Sequence, residues 1–333
     1  MQTIVTSARV EIESPGCMVV EWSVDGAGAA VDIAAGATPD AADHVHLLSV
    51  APGTSSVRLD GLGSPRCYVS LRTPGSDYAV VTADRRVAFE GVQNFRDLGG
   101  YRTAGGGHTA WGQIFRSDSL HKLTPSDLVG FERIGVRVVY DLRGDDERAT
   151  HPNPVDSIQL AIVGQPRDGN RTIDSTMFSA ASDGERLLRD LYLGMLVHSA
   201  PLFGQLLTGL VDPSNRPAVF HCHAGKDRTG IAAALLLLAL GVDRDDILDD
   251  YELTRRYRTL EHQQDSLANL LTAGMSPEAA AGVLTAPRWT MRDAIDAVDT
   301  EHGGIDAYLT GPAGMSMSSL RDLRAVLVTR PAR

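Results

Sequence analysis

Up to residue 88, short β-branched and aromatic runs recur at regular intervals, over 9–13, 18–24, 30–33, 45–50, 56–59, 68–72 and 78–82. Asp25-Gly26, Pro52-Gly53 and Pro74-Gly75 punctuate them. Runs this short, separated by turn residues, predict a small all-β sandwich over 1–88. Past that point the pattern changes. Apolar stretches at 135–140 and 217–221 read as buried strands, and helical periodicity runs over 184–197, 201–211, 230–240 and 245–257. Strands interleaved with helices predict an α/β domain over 89–333, with a mostly parallel sheet flanked by helices. Ser276-Pro277-Glu278 reads as a helix start, and Trp289, Met291, Ile295 and Val298 form a helical stripe that Gly303-Gly304 ends. An amphipathic tail at 320–328 predicts a last helix, with 329–333 frayed.

Composition narrows the function classes. The 333 residues are 43% hydrophobic and 22% charged, with a formal net charge of −11. A chain this acidic lacks the dense basic surface that a nucleic-acid binder needs. Three cysteines, Cys17, Cys67 and Cys222, are too few for a disulfide framework. Cys17 and Cys67 are expected as small core residues of the sandwich. The first residues carry neither the basic nor the apolar segment of a signal peptide, so a cytoplasmic protein is expected. The longest apolar run, 231–240, is about half of what a bilayer span requires, and no transmembrane segment is predicted.

The chemistry concentrates in His221-Cys222-His223-Ala224-Gly225-Lys226-Asp227-Arg228-Thr229-Gly230. This run follows a buried strand and opens a helix that is apolar all round, which places that helix in the core. A loop so placed aims successive N–H groups at one point, and the helix amino end adds partial positive charge, which makes an anion site of residues 223–228. A thiolate at Cys222 would be stabilised by the helix terminus and by Arg228. Five residues between Cys222 and Arg228 let the loop curl round a tetrahedral dianion, which a guanidinium grips through two oxygens. Gly225 permits a left-handed backbone, and the Thr229 hydroxyl can steady the sulfur as a leaving group. A nucleotide-binding loop is excluded, because Asp227 follows Lys226 where a magnesium-ligating Ser or Thr belongs. The neighbours of Cys222 lack metal-ligand spacing, so neither metal nor cofactor is expected.

The run matches the Cys-x5-Arg-Thr/Ser signature of protein tyrosine phosphatases, and Ala-Gly-Lys-Asp-Arg-Thr-Gly resembles the bacterial protein tyrosine phosphatase B-like family. Two further blocks fit in order, Asn94-Phe95-Arg96-Asp97-Leu98-Gly99-Gly100-Tyr101 and Tyr140-Asp141-Leu142-Arg143 with Glu147 after it. Arg116-Ser117 and Asp246-Ile247-Leu248-Asp249-Asp250-Tyr251 fit as well, so the resemblance spans 94–251. It implies a cysteine-based phosphatase fold and a phosphocysteine intermediate on Cys222, with Arg228 as transition-state clamp. It also implies Lys226 beside the phosphate or a second anionic group, and Asp227 as the general acid, since no Trp-Pro-Asp tripeptide occurs. His223 departs from the bulky apolar residue usual in the family.

The implied substrate is a phosphotyrosine-containing protein or peptide. Lys226 motivates the rival, a dual-specificity or phosphoinositide phosphatase; the non-enzyme alternative is a catalytically silent phosphate-binding adaptor. Asp141, Arg143, Arg116 and Tyr192 are further candidates for the pocket, each with an ion-pair or packing alternative. Segment 258–300 reads either as a lid containing Met275, Leu284 and Trp289 or as a plain helical pair. In the first quarter of the chain, Val57-Arg58-Leu59-Asp60-Gly61-Leu62 followed by Tyr68-Val69-Ser70-Leu71 resembles the E–F corner of fibronectin type III domains, with Trp22 as core tryptophan. A module of that kind is expected to serve either as an interaction unit that binds a protein partner or as a packing unit.

Overall fold

The computed structural model describes residues 4–14, 16–26, 28–61, 66–164, 180–259 and 261–329. The early strands are β1 (Ile4–Ser14), β2 (Cys17–Asp25), β3 (Val31–Gly36), β4 (Val45–Val50), β5 (Ser56–Asp60), β6 (Tyr68–Arg72) and β7 (Val80–Ala83). They form two antiparallel sheets, ordered β1-β2-β5 and β4-β3-β6-β7. Side chains two residues apart on a strand share a face. Met18, Val20 and Trp22 therefore point together into one core with Val31, Ile33, Leu59, Val69, Leu71 and Val80. Cys17 is buried, whereas Cys67 is half-buried at the margin of that core. The chain at 62–65, upstream of Tyr68, lies outside the described residues. The Tyr68 ring packs edge-on against Trp111, with centroids 6.2 Å apart.

The chain divides into two compact units, 1–87 with 97–112 and 329–333, and 88–96 with 113–328. The return of 97–112 to the first unit has local causes. Asp97 accepts hydrogen bonds from Arg66 Nη1, at 2.8 Å, and from the Gly99 and Gly112 amides. Trp111 Nε1 donates to the Val81 carbonyl at 2.8 Å. Gly100 has φ +78°, and a Cβ there would strike the Trp111 ring.

The remaining strands are β8 (Arg96–Asp97), β9 (His108–Thr109), β10 (Ile114–Ser117), β11 (Val138–Asp141), β12 (Ile158–Gln159), β13 (Ala218–His221) and β14 (Val328–Thr329). The sheet of the second unit runs β12-β11-β13-β10-β8, with β10, β11 and β12 parallel to their neighbours around β13. Register aligns Ser117 and Asp141 with His221 on either side, so three strands end together where open α/β sheets bind their ligands.

Helices α1 (Pro125–Ile134), α2 (Asp145–Thr150), α3 (Ala181–His198), α4 (Ala200–Gly209) and α5 (Asp227–Ala239) are followed by α6 (Arg244–Tyr257), α7 (Gln264–Thr272) and α8 (Pro277–Leu284). The last three are α9 (Arg288–His302), α10 (Ile305–Thr310) and α11 (Met317–Leu327). Among the described residues no single helix is long and apolar enough to cross a membrane. α5 is buried along nearly all its faces, as its uniform apolarity requires.

Several bounds differ from those the hydrophobic pattern gives. The strand expected from 135 starts at Val138, because Gly135, at φ +73°, caps α1. α1 itself escapes the pattern, since it buries only Asp127 and Phe131. It is marked instead by a Thr124/Asp127 capping box with Pro125 in its first turn. α5 begins at Asp227 and not at 230, which puts Asp227 and Arg228 in its first turn.

Candidate active site

β13, buried at all four positions, delivers Cys222 into the loop with only 1% of its surface exposed. The loop turns at Gly225, where φ is +66° and a Cβ would lie 2.5 Å from the Ser117 carbonyl oxygen and 2.6 Å from the Asp118 nitrogen. Only glycine fits. Asn94 Nδ2 donates to the carbonyls of Ala224 and Gly225, each at 3.2 Å, and Arg116 Nη2 donates to Gly225 O at 2.8 Å. In a trans peptide the N–H points away from its carbonyl. Tying these two oxygens outward turns the amides of Gly225 and Lys226 to the opposite side, as an anion cradle requires.

The brace is itself anchored. Asp250 bonds both Arg96 Nε, at 3.1 Å, and Arg116 Nη1, at 2.5 Å, with all three side chains 0–1% exposed. Two guanidiniums converging on one carboxylate at this depth hold because each satisfies the other, and removing the carboxylate would strand two charges.

One cavity of about 530 Å³ opens over the loop. Cys222, His223, Ala224, Lys226, Asp227 and Arg228 line its floor, with Glu147 and His151 on one side. Arg258, Asn269, Leu270, Val283 and Leu284 contribute to the rest of the wall. Arg228 is held by a two-pronged pair with Glu147: Nη2 donates to Oε1 at 2.9 Å and Nη1 to Oε2. Burial pushes the Glu147 carboxyl upward, but the Arg228 hydrogen bond and charge, with the Gly144 amide, outweigh it and bring it to about 2. Burial likewise opposes the charge on Arg228, and Glu147 and the Cys222 sulfur more than restore it. Asp227 sits one residue away, with its side chain 26% exposed. Its Oδ1 accepts the Tyr192 hydroxyl at 2.6 Å and lies 3.4 Å from Lys226 Nζ. His223 borders the cavity, and burial, then Arg258, lower its pKa. Thr229 Oγ1 is buried without a hydrogen-bond partner among the described residues.

The ammonium of Lys226 has a use the sequence did not announce. It donates to the Val283 carbonyl and, at 2.8 Å, to Thr285 O, fastening the end of α8 across the loop. Burial lowers its pKa. In the 258–300 segment, Leu284 faces the cavity, Met275 packs with Ala279 and Ala280, and Trp289 Nε1 donates to Glu185 Oε2 at 2.8 Å.

Asp141, Arg143, Arg116 and Tyr192, offered by the sequence as pocket side chains, do not line the cavity; all four are buried and occupied. Arg143 forks onto Asp141, with Nη2–Oδ2 at 2.7 Å, and also reaches Ser119, the His151 carbonyl and Asn153, which ties loops together. Arg116 serves Asp250 and the loop backbone, and Tyr192 reaches Asp227 from beneath the wall. Glu147, Arg258, Asn94 and Asp250 were given no role from sequence. The first, third and fourth lie in the quoted blocks, but nothing in their spacing tells which atoms they meet.

A parallel sheet whose central strand feeds a buried cysteine into a loop closed by an arginine defines a cysteine-based phosphatase. The chain belongs to the tyrosine phosphatase family, whose model matches residues 87–329. It is 28% identical over 247 residues to a Cupriavidus necator protein whose name places it among tyrosine-protein phosphatases, covering 73% of this chain and 89% of that one. It is 26% identical to the triple specificity protein phosphatase PtpB of Mycobacterium tuberculosis, covering 72% of this chain and 97% of that protein. A tyrosine-protein phosphatase of Nostoc commune is 27% identical, over 64% of this chain and 73% of its own.

Proposed function

We propose that Cys222 attacks the phosphorus of a phosphotyrosine side chain in a protein or peptide, and that the loop amides and Arg228 bear the charge of the transferring phosphoryl group. The S–P bond forms as the P–O bond to tyrosine breaks, and Asp227 gives its proton to the departing phenolic oxygen. Water then attacks the phosphocysteine, returns a proton to Asp227 and releases inorganic phosphate with the thiolate. Thr229, whose buried hydroxyl has no partner among the described residues, steadies that sulfur as it leaves. The observation that carries this reading is the meeting of Cys222, Asp227 and Arg228 on one cavity floor, with the Ala224 and Gly225 carbonyls tied away from it. Helices α7 and α8 act as the cover of the cavity, and the first unit serves as a docking module for a protein partner.

Mass detection of phosphate on Cys222 after rapid quench tests the intermediate. Cys222→Ser is expected to lose turnover of an aryl phosphate while still retaining phosphopeptide. Equal absence of turnover in wild type and variant, with binding intact, would leave a silent adaptor. The name of the Mycobacterium relative raises a broader range of substrates. A panel of phosphotyrosine, phosphothreonine and phosphoinositide decides it; a strong preference for lipid overturns the first choice.

A further inference from the structure

Behind the cavity wall lies a buried pair of phenols that the mechanism above does not use. Tyr192, on α3, and Tyr251, on α6, are 0% and 1% exposed, and their hydroxyl oxygens are 2.7 Å apart. Tyr192 has a single hydroxyl proton, and it points at Asp227 Oδ1, 2.6 Å away. The bond between the two phenols must therefore run from Tyr251 to Tyr192. The result is a directed chain, Tyr251 to Tyr192 to Asp227, with every hydrogen aimed toward the carboxylate. Lys226 Nζ, 3.4 Å away, approaches the same oxygen.

We infer that Tyr192, backed by Tyr251, is a positioning residue for the general acid: it occupies Oδ1 of Asp227 so that the transferable proton sits on Oδ2, toward the substrate. The inference rests on Asp227 being the acid, as proposed above. When the P–O bond breaks, the Oδ2 proton moves to the leaving oxygen and its electron pair stays on the carboxylate. The new negative charge is met at once by a donor already in place, so no reorganisation is needed at the moment of transfer. Each bond in such a chain polarises the next, which makes the pair more effective than one phenol alone. Burial, first, and then the Asp227 charge, hold the Tyr192 hydroxyl well above its ordinary pKa, and burial does the same for Tyr251, so both remain donors. Only a leaving group that needs a proton benefits. An activated aryl oxide departs without one.

The test is leaving-group dependence in the full chain. Tyr192→Phe is expected to lower kcat roughly tenfold on phosphotyrosine peptide and phenyl phosphate, a part of the roughly 10²–10⁴-fold that a general acid supplies, and to leave p-nitrophenyl phosphate within about twofold. Tyr251→Phe, which keeps the Tyr192 hydroxyl, should give a smaller loss with the same ordering and guards against misfolding of the first variant. In the Asp227→Asn background, Tyr192→Phe should add little. An equal loss on every leaving group, or full additivity with Asp227→Asn, overturns the positioning role alone. If Asp227→Asn itself shows no dependence on leaving group, the acid assignment falls, and this inference with it.

Discussion

At the residue scale, the paired Glu147 and Arg228 show how the site keeps a guanidinium in readiness. A fork gripped at both prongs is oriented before substrate arrives, which lowers the entropy lost on binding. The pair also leaves a signature in stability. The Glu147 carboxyl is held down to about 2 in the folded chain, below the ordinary glutamate value of about 4.3, so the unfolded chain binds the proton more readily in that window. Its contribution is complete above the ordinary value and is lost as pH falls through the folded one. Urea unfolding at pH 5 and at pH 2.5 is expected to show a larger loss for wild type than for Glu147→Gln. Equal losses would mean that the ion pair carries no net stability.

At the element scale, α3 and α8 meet through two glycines. A Cβ on Gly184 would run into the Ala279 carbonyl, and one on Gly282 into the Ala181 carbonyl, so the helices approach at backbone distance. The obstacle is backbone in both cases, which cannot swing aside as a side chain would. Gly282→Ala is expected to cost about 1–3 kcal/mol by overpacking, read from chemical denaturation. It should also raise KM, because Val283 and Leu284 on the cavity wall must move with α8. Such crossings are hard to read from sequence, since a glycine inside a helical pattern looks like a weakness. The loop 221–230 was legible because its chemistry is contiguous, and strand and helix periodicity located its flanks. Its supports were not: Asn94 reaches the loop across 131 residues, Arg116 across 109, and Asp250 holds Arg116 across 134, through contacts that only the folded chain brings about. The direction of Lys226 was hidden for a related reason, as its carbonyl acceptors belong to α8 and the residue after it.

At the scale of the whole molecule, the path of the chain matters more than the position of any one boundary. Backbone passes between the two units after 87, 96, 112 and 328. A fragment that begins at residue 88 therefore retains 97–112 but loses what that segment packs on, including Tyr68 beneath Trp111 and Arg66 on Asp97. Such a fragment is expected to show a lower Tm and poorer recovery than the full chain, measured by thermal unfolding of matched preparations. Equal stability would show that 97–112 needs no sandwich. Asp97 is 0% exposed in the full chain, and the fragment strips it of the Arg66 guanidinium that balances its charge there. Interlaced connectivity of this kind resists separation by a single cut. A protease that nicks the backbone at 87 frees no part outright, because 97–112 still clasps the severed piece through ring packing, the Arg66 contact and the indole bond to Val81.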